Sequence, residues 1–339
     1  MSIKNRKKDH VDLCINDDVT HQTTTGFEQY RFDHNALPEL DVDDIDIEGS
    51  LLGRAFSFPL MISSMTGGYA GAESINRMIA EFCEEENLPF GVGSQRALFD
   101  DPDQAGTFSV VREAAPTAFI AANIGGAQLI GGLPAEQLEL LISSIRADAI
   151  IVHLNPLQEL IQPEGDRQFA GIEDGIRKLV VDAPVPVIVK ETGAGINGEV
   201  ARRLLAAGVE VVDVSGAGGT SWSKVENLRT ENPDLYAAFN DWGNPTARCV
   251  EEVAALREAF RFELIASGGI ASPFDMVKAL CLGADMVGAA RPVLLALDRG
   301  GIPELKQMVG LWKRQARMIC TLIGCRALRL CSPSYLIKE

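Results

Sequence analysis

Eight times along this chain a short apolar run ends in small or polar residues and gives way to a stretch with helical spacing. The runs cover 58–62, 89–92, 118–122, 149–152, 186–189, 209–214, 263–266 and 284–287. The fourth is small and β-branched throughout, the composition of a strand buried on both faces in a parallel sheet. Eight strand-then-helix units in 339 residues favour a closed α/β barrel of the (β/α)8 TIM type over an open doubly wound sheet. Every strand end then faces one mouth, which gathers Thr66, Ser94, Arg96, Asn123, His153, Gln158, Lys190, Ser215 and two late small-residue turns. Residues 1–50 are polar and lack sustained periodicity, so they are expected to form an N-terminal extension ahead of a barrel over 51–339. A helix is expected near 72–87 and another near 246–260. The long interval before the latter, following strand 6, carries Gly216-Ala-Gly-Gly-Thr220-Ser-Trp222 and Asn240-Asp-Trp242-Gly-Asn-Pro, and should fold over the mouth as a lid.

The end of the fourth strand is dense in chemistry. Within seven residues the chain supplies His153, Asn155, Gln158 and Glu159, and Pro156 is expected to interrupt any smooth continuation into a helix. Charge narrows the partners: a net charge of −16 argues against nucleic acid, whose binding needs Lys and Arg to neutralise phosphates. The acidic stretches Asp41 to Glu48 and Glu81 to Glu86 read as solvated faces, whereas Arg6-Lys7-Lys8 is a local cation cluster able to meet an anion or to serve as a solubilising arm. No apolar run approaches the roughly 18 to 20 residues that cross a bilayer, and none follows the basic start as a secretory leader would require. No membrane partner is expected, and the expected compartment is the cytoplasm. Seven scattered cysteines without a Cys-x-x-Cys pair suggest reduced core thiols, with neither disulfide nor zinc site.

After strands seven and eight, Ser267-Gly268-Gly269 and Gly288-Ala289-Ala290 stand where barrels build a phosphate cup, because small residues let backbone N–H groups approach an anion. Lys190, at the fifth strand end, could stabilise negative charge on a reduced flavin or act as a Schiff-base amine. Beside a phosphate cup the flavin fits better.

Asn5-Arg-Lys-Lys-Asp-His10, Met65-Thr-Gly-Gly68, Gly93-Ser-Gln-Arg96, His153-Leu-Asn-Pro-Leu-Gln-Glu159, Val189-Lys-Glu-Thr-Gly193, Ser215-Gly-Ala-Gly-Gly-Thr220 and Ser267-Gly-Gly-Ile270 together resemble the type 2 isopentenyl-diphosphate isomerase family. The resemblance runs in order over nearly the whole chain. It implies an enzyme that uses reduced FMN, Mg2+ and NADPH or NADH as reductant to interconvert isopentenyl and dimethylallyl diphosphate by a 1,3 proton shift in isoprenoid biosynthesis. It implies that Arg6, Lys7, His10, Ser94, Gln95, Arg96, His153, Asn155 and Gln158 meet substrate, that Gln158 assists catalysis and that Glu159 holds the metal. For FMN it implies Ser64, Met65, Thr66, Gly67, Ser94, Asn123, Lys190, Ser215, Thr220, Gly268, Gly269, Gly288, Ala289 and Ala290. A homo-oligomer, tetramer or octamer, is implied as well. One position departs: the family usually has Arg where Ala271 stands.

Two other readings share some of these features. Another FMN barrel, an oxidoreductase of 2-hydroxy-acid or dihydroorotate type, would also use Lys190 and the cup; a 2-hydroxy-acid oxidase would further want a histidine base after a late strand. The four histidines are 10, 21, 34 and 153, and none follows strand six, seven or eight. A barrel that only senses a phosphorylated metabolite would have no use for Gln158 and Glu159.

Overall fold

The computed structural model describes residues 3–339, except the side chains of residues 3–5, Ala70, Asp100 and Pro102, so Met1 and Ser2 of the expected extension lie outside the described residues. Eight parallel strands close into a barrel, as expected: β1 (Leu60–Ile62), β2 (Phe90–Gly91), β3 (Ile120–Gly125), β4 (Ala149–Leu154), β5 (Val187–Glu191), β6 (Val211–Asp213), β7 (Glu263–Ser267) and β8 (Met286–Ala289). Closure is the β8–β1 pairing, Val287 against Leu60. The first two strands are shorter than the runs that announced them. Pro59 and Pro89 carry no N–H to donate, so each joins the ladder only through its carbonyl, which accepts from Val287 and Ile62 respectively.

Side chains alternate along each strand, and the alternation separates two buried layers. Met61, Ala121, Ala149, Ile151, Ile188, Val211, Ile265 and Met286 form a cluster of their own inside the barrel. Leu60, Ile62, Ile120, Ile150, Val152, Val187, Val189, Leu264 and Val287 belong to the larger cluster that packs strands against helices. Continuing the inward parity by one step reaches Ser63, Asn123, His153, Lys190, Asp213, Ser267 and Gly288. The period of two thus delivers one ring of polar or small residues to the mouth.

The extension is built into this body. A helix, α1 (Ile3–Asn16), crosses the mouth and buries Val11 and Cys14 against Tyr69, Val225 and Leu294. Here the structure goes beyond the sequence, whose few apolar positions gave no sustained period. Phe27, Tyr30, Ile45 and Ile47 join the barrel's outer core, and Tyr30–Phe32 pairs antiparallel with Leu336–Lys338 near the C-terminus. The hairpin Gly49–Leu51/Arg54–Phe56 sends Leu51 and Phe56 into the inner cluster. The helix expected near 72–87 is Ala70–Glu86, and that expected near 246–260 is Thr246–Ala254 followed by a tighter turn, Ala255–Glu258. The seven cysteines are free, and all but Cys331 are buried.

At the base of the barrel a single guanidinium ties several elements together. Arg112 is 8% exposed and donates to the carbonyls of Ile145 (2.9 Å), Ala118 (2.9 Å) and Arg146 (2.8 Å) and to Asp148 Oδ2 (2.9 Å). Asp148 Oδ2 in turn accepts from the Ile120 N–H at the start of β3. Removing the cation strands these acceptors. Arg112→Met should therefore lower unfolding free energy by about 3–5 kcal/mol, towards the lower end because Asp148 is partly exposed, read from the urea midpoint. A change below about 1 kcal/mol would show that water takes the guanidinium's place.

Candidate active site

A cavity of about 470 Å3 occupies the mouth, within the roughly 300–1,000 Å3 range of small-molecule sites. Of the residues expected to meet substrate, cofactor or metal, one alone fails to line it. Gln95 is fully buried behind the rim, where Nε2 donates to the Leu141 carbonyl (3.1 Å) and to Ser144 (3.0 Å) and Oε1 accepts the Asn123 N–H (3.0 Å). This corrects the expectation of a substrate contact: with amide oxygen and nitrogen both engaged in the wall, Gln95 positions Asn123.

The polar ring at the strand ends is cross-linked. Asn123 donates to Ser64 Oγ (2.8 Å), and its Oδ1 lies 2.8 Å from His153 Nδ1. His153 was expected among the basic residues gripping an anion, but burial, then Lys190 and Lys7, push its pKa down to about 3. It therefore stands in the mouth as a neutral hydrogen-bonding group. Lys190 is buried beside Asp213, its register partner on β6. Asp213 is a residue the sequence reading missed, although inward parity points to it. Ser267 Oγ (2.6 Å) and the Ser215 N–H (3.3 Å) donate to its Oδ1, yet burial raises its carboxyl above the ordinary range.

Glu159 and Gln158 leave β4 in a short helix, Pro156–Ile161. The expected interruption at Pro156 does not occur, because proline occupies the first helical turn, where its missing N–H costs nothing. Asn155, just ahead of the helix, donates to both Gln158 Oε1 (3.1 Å) and Glu159 Oε1 (3.0 Å). Beyond that shared partner the two side chains diverge. Glu159 Oε2 accepts the Asp166 N–H (2.7 Å), while Gln158 Nε2 donates to Glu226 Oε1 (2.8 Å).

Glu226, also missed by the sequence reading, sits on the lid helix Trp222–Asn227 with no exposed surface. His10 Nε2 approaches the same oxygen (2.8 Å), and Arg229 pairs with the other. Burial alone would raise this carboxyl; His10, Gln158 and Arg229 outweigh it and hold it below the ordinary range. With its amide oriented to satisfy both neighbours, Gln162 donates to Glu226 (3.2 Å) and accepts from Arg6 (2.7 Å). The His10 ring stands edge-on to Trp222 at 5.1 Å. The lid is therefore fastened to α1 and to the β4 helix at a single carboxylate.

On the opposite side of the cavity the late turns form a cradle of bare backbone. A Cβ added to Gly268 would lie 2.1 Å from the Gly216 carbonyl oxygen, and one on Gly219 would lie 2.5 Å from the Gly269 nitrogen. Gly268 and Gly269 both adopt positive φ, 96° and 75°. A Cβ on Gly269 would also meet Thr25 at 2.3 Å, so a side chain here would distort the cradle whatever charge it carried. Thr66 Oγ1, across the cavity, is buried without a hydrogen-bond partner of ordinary geometry. A backbone cradle, a buried lysine and an unspent hydroxyl fit a phosphorylated flavin. Ala271 lies exposed at the edge of the cavity, its N–H to Asp275 Oδ2 (3.2 Å), so this cradle relies on backbone groups where a cation would otherwise stand.

The cations gather near α1. Lys7 Nζ donates to the Ser94 carbonyl (2.9 Å) and lies 5.6 Å from the centre of the Phe108 ring. Arg6 approaches Glu164 at 3.8 Å and Arg96 pairs with Asp166 at 3.2 Å, both carboxylates belonging to the loop after the β4 helix. Among the described residues no group of three or more His, Cys, Asp or Glu is placed to hold a metal ion. Glu159 as a lone carboxylate suits a hard cation only if ligand oxygens and water complete its coordination, the habit of magnesium at phosphate sites.

The class this fold and mouth define is that of the FMN-dependent dehydrogenases, whose family model matches residues 2–98 and 155–338. The fold is shared with the flavin-binding domain of baker's yeast flavocytochrome b2 (TM-score 0.73, 17% identity, 97% of this chain and 82% of that one). It is shared also with (S)-mandelate dehydrogenase (TM-score 0.69, 15% identity, 99% and 98%). Sequence narrows the class. A protein from Chlorobium luteolum named isopentenyl-diphosphate delta-isomerase is 47% identical over 337 residues, 95% of this chain and 92% of that one. Another so named, from Nostoc sp., is 46% identical over 297 residues, 86% and 84%. The chain belongs to the type 2 isopentenyl-diphosphate delta-isomerase family.

Lys7 gives the site a testable pH signature. Burial, then the nearby Arg6 charge, lowers its pKa to about 7. Above that pH the free amine is neutral, so an anion entering the mouth must draw a proton onto it. The affinity of Lys7→Arg for inorganic pyrophosphate, divided by that of the native chain, should then rise about tenfold per pH unit above 7 and stay flat below. Titration calorimetry from pH 6 to 9 reads this ratio, which cancels the ligand's own ionisation. A flat ratio would mean that Lys7 stays charged throughout.

Proposed function

We propose that the enzyme interconverts isopentenyl and dimethylallyl diphosphate by a 1,3 proton shift, with reduced FMN in the cavity, Mg2+ at Glu159, and NADPH or NADH as reductant. The observation that carries the proposal is the alignment of three parts across one cavity: the backbone cradle with Lys190, the cation cluster on α1 with Arg96, and the Gln158–Glu226–His10 linkage between them. In the shift one C–H bond forms at the terminal alkene carbon and one breaks two carbons along, with no net transfer of electrons. Bound and reduced, the flavin would supply an electron-rich ring and an N5 atom able to exchange a proton.

The chain's own residues orient and screen. Arg6, Lys7 and Arg96 provide charge-assisted contacts for the diphosphate, with further polar groups at Ser94, His10, His153 and Asn155 lining the same side. Glu159 would hold the Mg2+, which would supply positive charge for the diphosphate. Gln158, its nitrogen held by Glu226 and its oxygen by Asn155, lines the cavity, where it can place the allylic carbon or relay a proton. Val11, Cys14, Trp222 and Leu294 make an apolar wall suited to a short hydrocarbon. Ser64, Met65, Thr66, Gly67, Asn123, Ser215 and Thr220 line the flavin side. A 2-hydroxy-acid oxidase reading finds no support, because β6 to β8 end in Asp213, Ser267 and Gly288-Ala289 with no histidine.

No helix among the described residues is long and apolar enough to cross a membrane. The proposal places the enzyme in the cytoplasm, as a tetramer or octamer. Its test is direct. FMN-loaded protein reduced with dithionite or NADPH should convert isopentenyl diphosphate to dimethylallyl diphosphate catalytically, and oxidised protein should not. Gln158→Ala should lower turnover about 10²-fold or more at normal flavin content. Equal activity in both redox states would refute the flavin's part, and undiminished turnover in the variant would refute that of Gln158.

A further inference from the structure

Arg291 is the first residue of the helix that follows β8, directly beyond Gly288-Ala289-Ala290, and it lines the cavity. A guanidinium in that place would ordinarily be read as a ligand for the anion in the cradle. Its donors are directed elsewhere. Nε donates to the Cys14 carbonyl (2.9 Å), Nη2 to the Asp17 carbonyl (3.0 Å) and Nη1 to Thr20 Oγ1 (2.7 Å). Cys14 lies in the last turn of α1, where carbonyls have no intrahelical partner and where the helix dipole favours a cation.

We propose that Arg291 is a positioning residue which clamps the C-terminal end of α1 and so holds Arg6, Lys7 and His10 over the mouth. The inference rests on the substrate role given above to α1. Three further observations extend the clamp. Lys224 of the lid donates to the Thr20 carbonyl. His21 N–H pairs with the Gly219 carbonyl (2.9 Å) and Ser221 N–H with that of Val19 (2.7 Å). Thr25 packs against Gly218 and Gly269, the backbone of the cradle itself. Residues 14–25 are thus seated on the cofactor side of the cavity, and α1 projects from that seat towards the diphosphate side. Arg291 joins the two, and through it order in the cradle passes to the substrate cations.

Limited trypsin digestion of FMN-loaded protein tests this without substrate. Cleavage after Arg6, Lys7 or Lys8 requires α1 to leave the mouth, and intact-mass spectrometry reads loss of the N-terminal residues. Arg291→Met should speed that cleavage at least tenfold, with FMN affinity changed less than twofold; Arg291→Lys should fall between. In the same variant the dissociation constant for inorganic pyrophosphate should rise at least tenfold, and in turnover KM should rise while kcat changes less than threefold. Thr20→Val, which removes one acceptor and leaves Arg291 in place, should speed cleavage to a smaller degree and serves if Arg291→Met does not fold. Native cleavage rates in both variants would overturn the proposal, and so would a tenfold loss of FMN affinity with α1 still protected, since Arg291 would then be a cradle ligand. Failure of the isomerase reading would appear separately, as faster cleavage in a protein that binds no pyrophosphate.

Discussion

Charge buried at the end of the barrel governs this structure. Lys190 and Asp213 face each other on neighbouring strands, and Glu226 is sealed beneath the lid with His10, Gln158 and Arg229 around it. Taking such groups out of water costs several kcal/mol each unless hydrogen bonds and opposite charge offset it. The offsets come from different parts of the chain: α1, the β4 helix, the lid and the late glycine turns. An arrangement that demands so many partners holds these elements in one geometry. Burial and the neighbouring Arg6 also lower the Lys7 pKa to about 7, and burial keeps His153 neutral, so Lys7 is only partly protonated before an anion enters.

The barrel was legible because its signal is local and repeated eight times. An apolar run followed by helical spacing needs no knowledge of long-range contacts, and period two carries the inward row from Ile151 to His153 and from Ile188 to Lys190. Asp213 obeys the same rule; it was hidden because it lies within an apolar run instead of at its end. Pro156 was misjudged for a comparable reason. A proline breaks a helix interior but suits its first turn, and only the structure shows which place it occupies.

What the sequence could not disclose depends on contacts between distant segments. Glu226 belongs to an ordinary-looking lid helix, and nothing nearby marks it as the shared partner of His10 and Gln158. Gln95 stands between two cavity residues, yet its side chain turns into the wall because Ser144 and the Leu141 carbonyl lie there. α1 has too few apolar positions to show a period, and its docking rests on Val11, Cys14 and polar ties at its C-terminal end. The relatives that share this chain's sequence over more than nine-tenths of its length supply the family, while the individual roles follow from these contacts.

The central claim is that the site moves a proton without net redox change. Isopentenyl diphosphate turned over in heavy water by the reduced enzyme reports on it directly, with the dimethylallyl product analysed by NMR and mass spectrometry. The account predicts deuterium in the methyl group formed from the terminal alkene carbon, with no change in the flavin's net redox state over many turnovers. Product free of deuterium, with internal return of the abstracted proton excluded, or flavin oxidised in proportion to product, would contradict it.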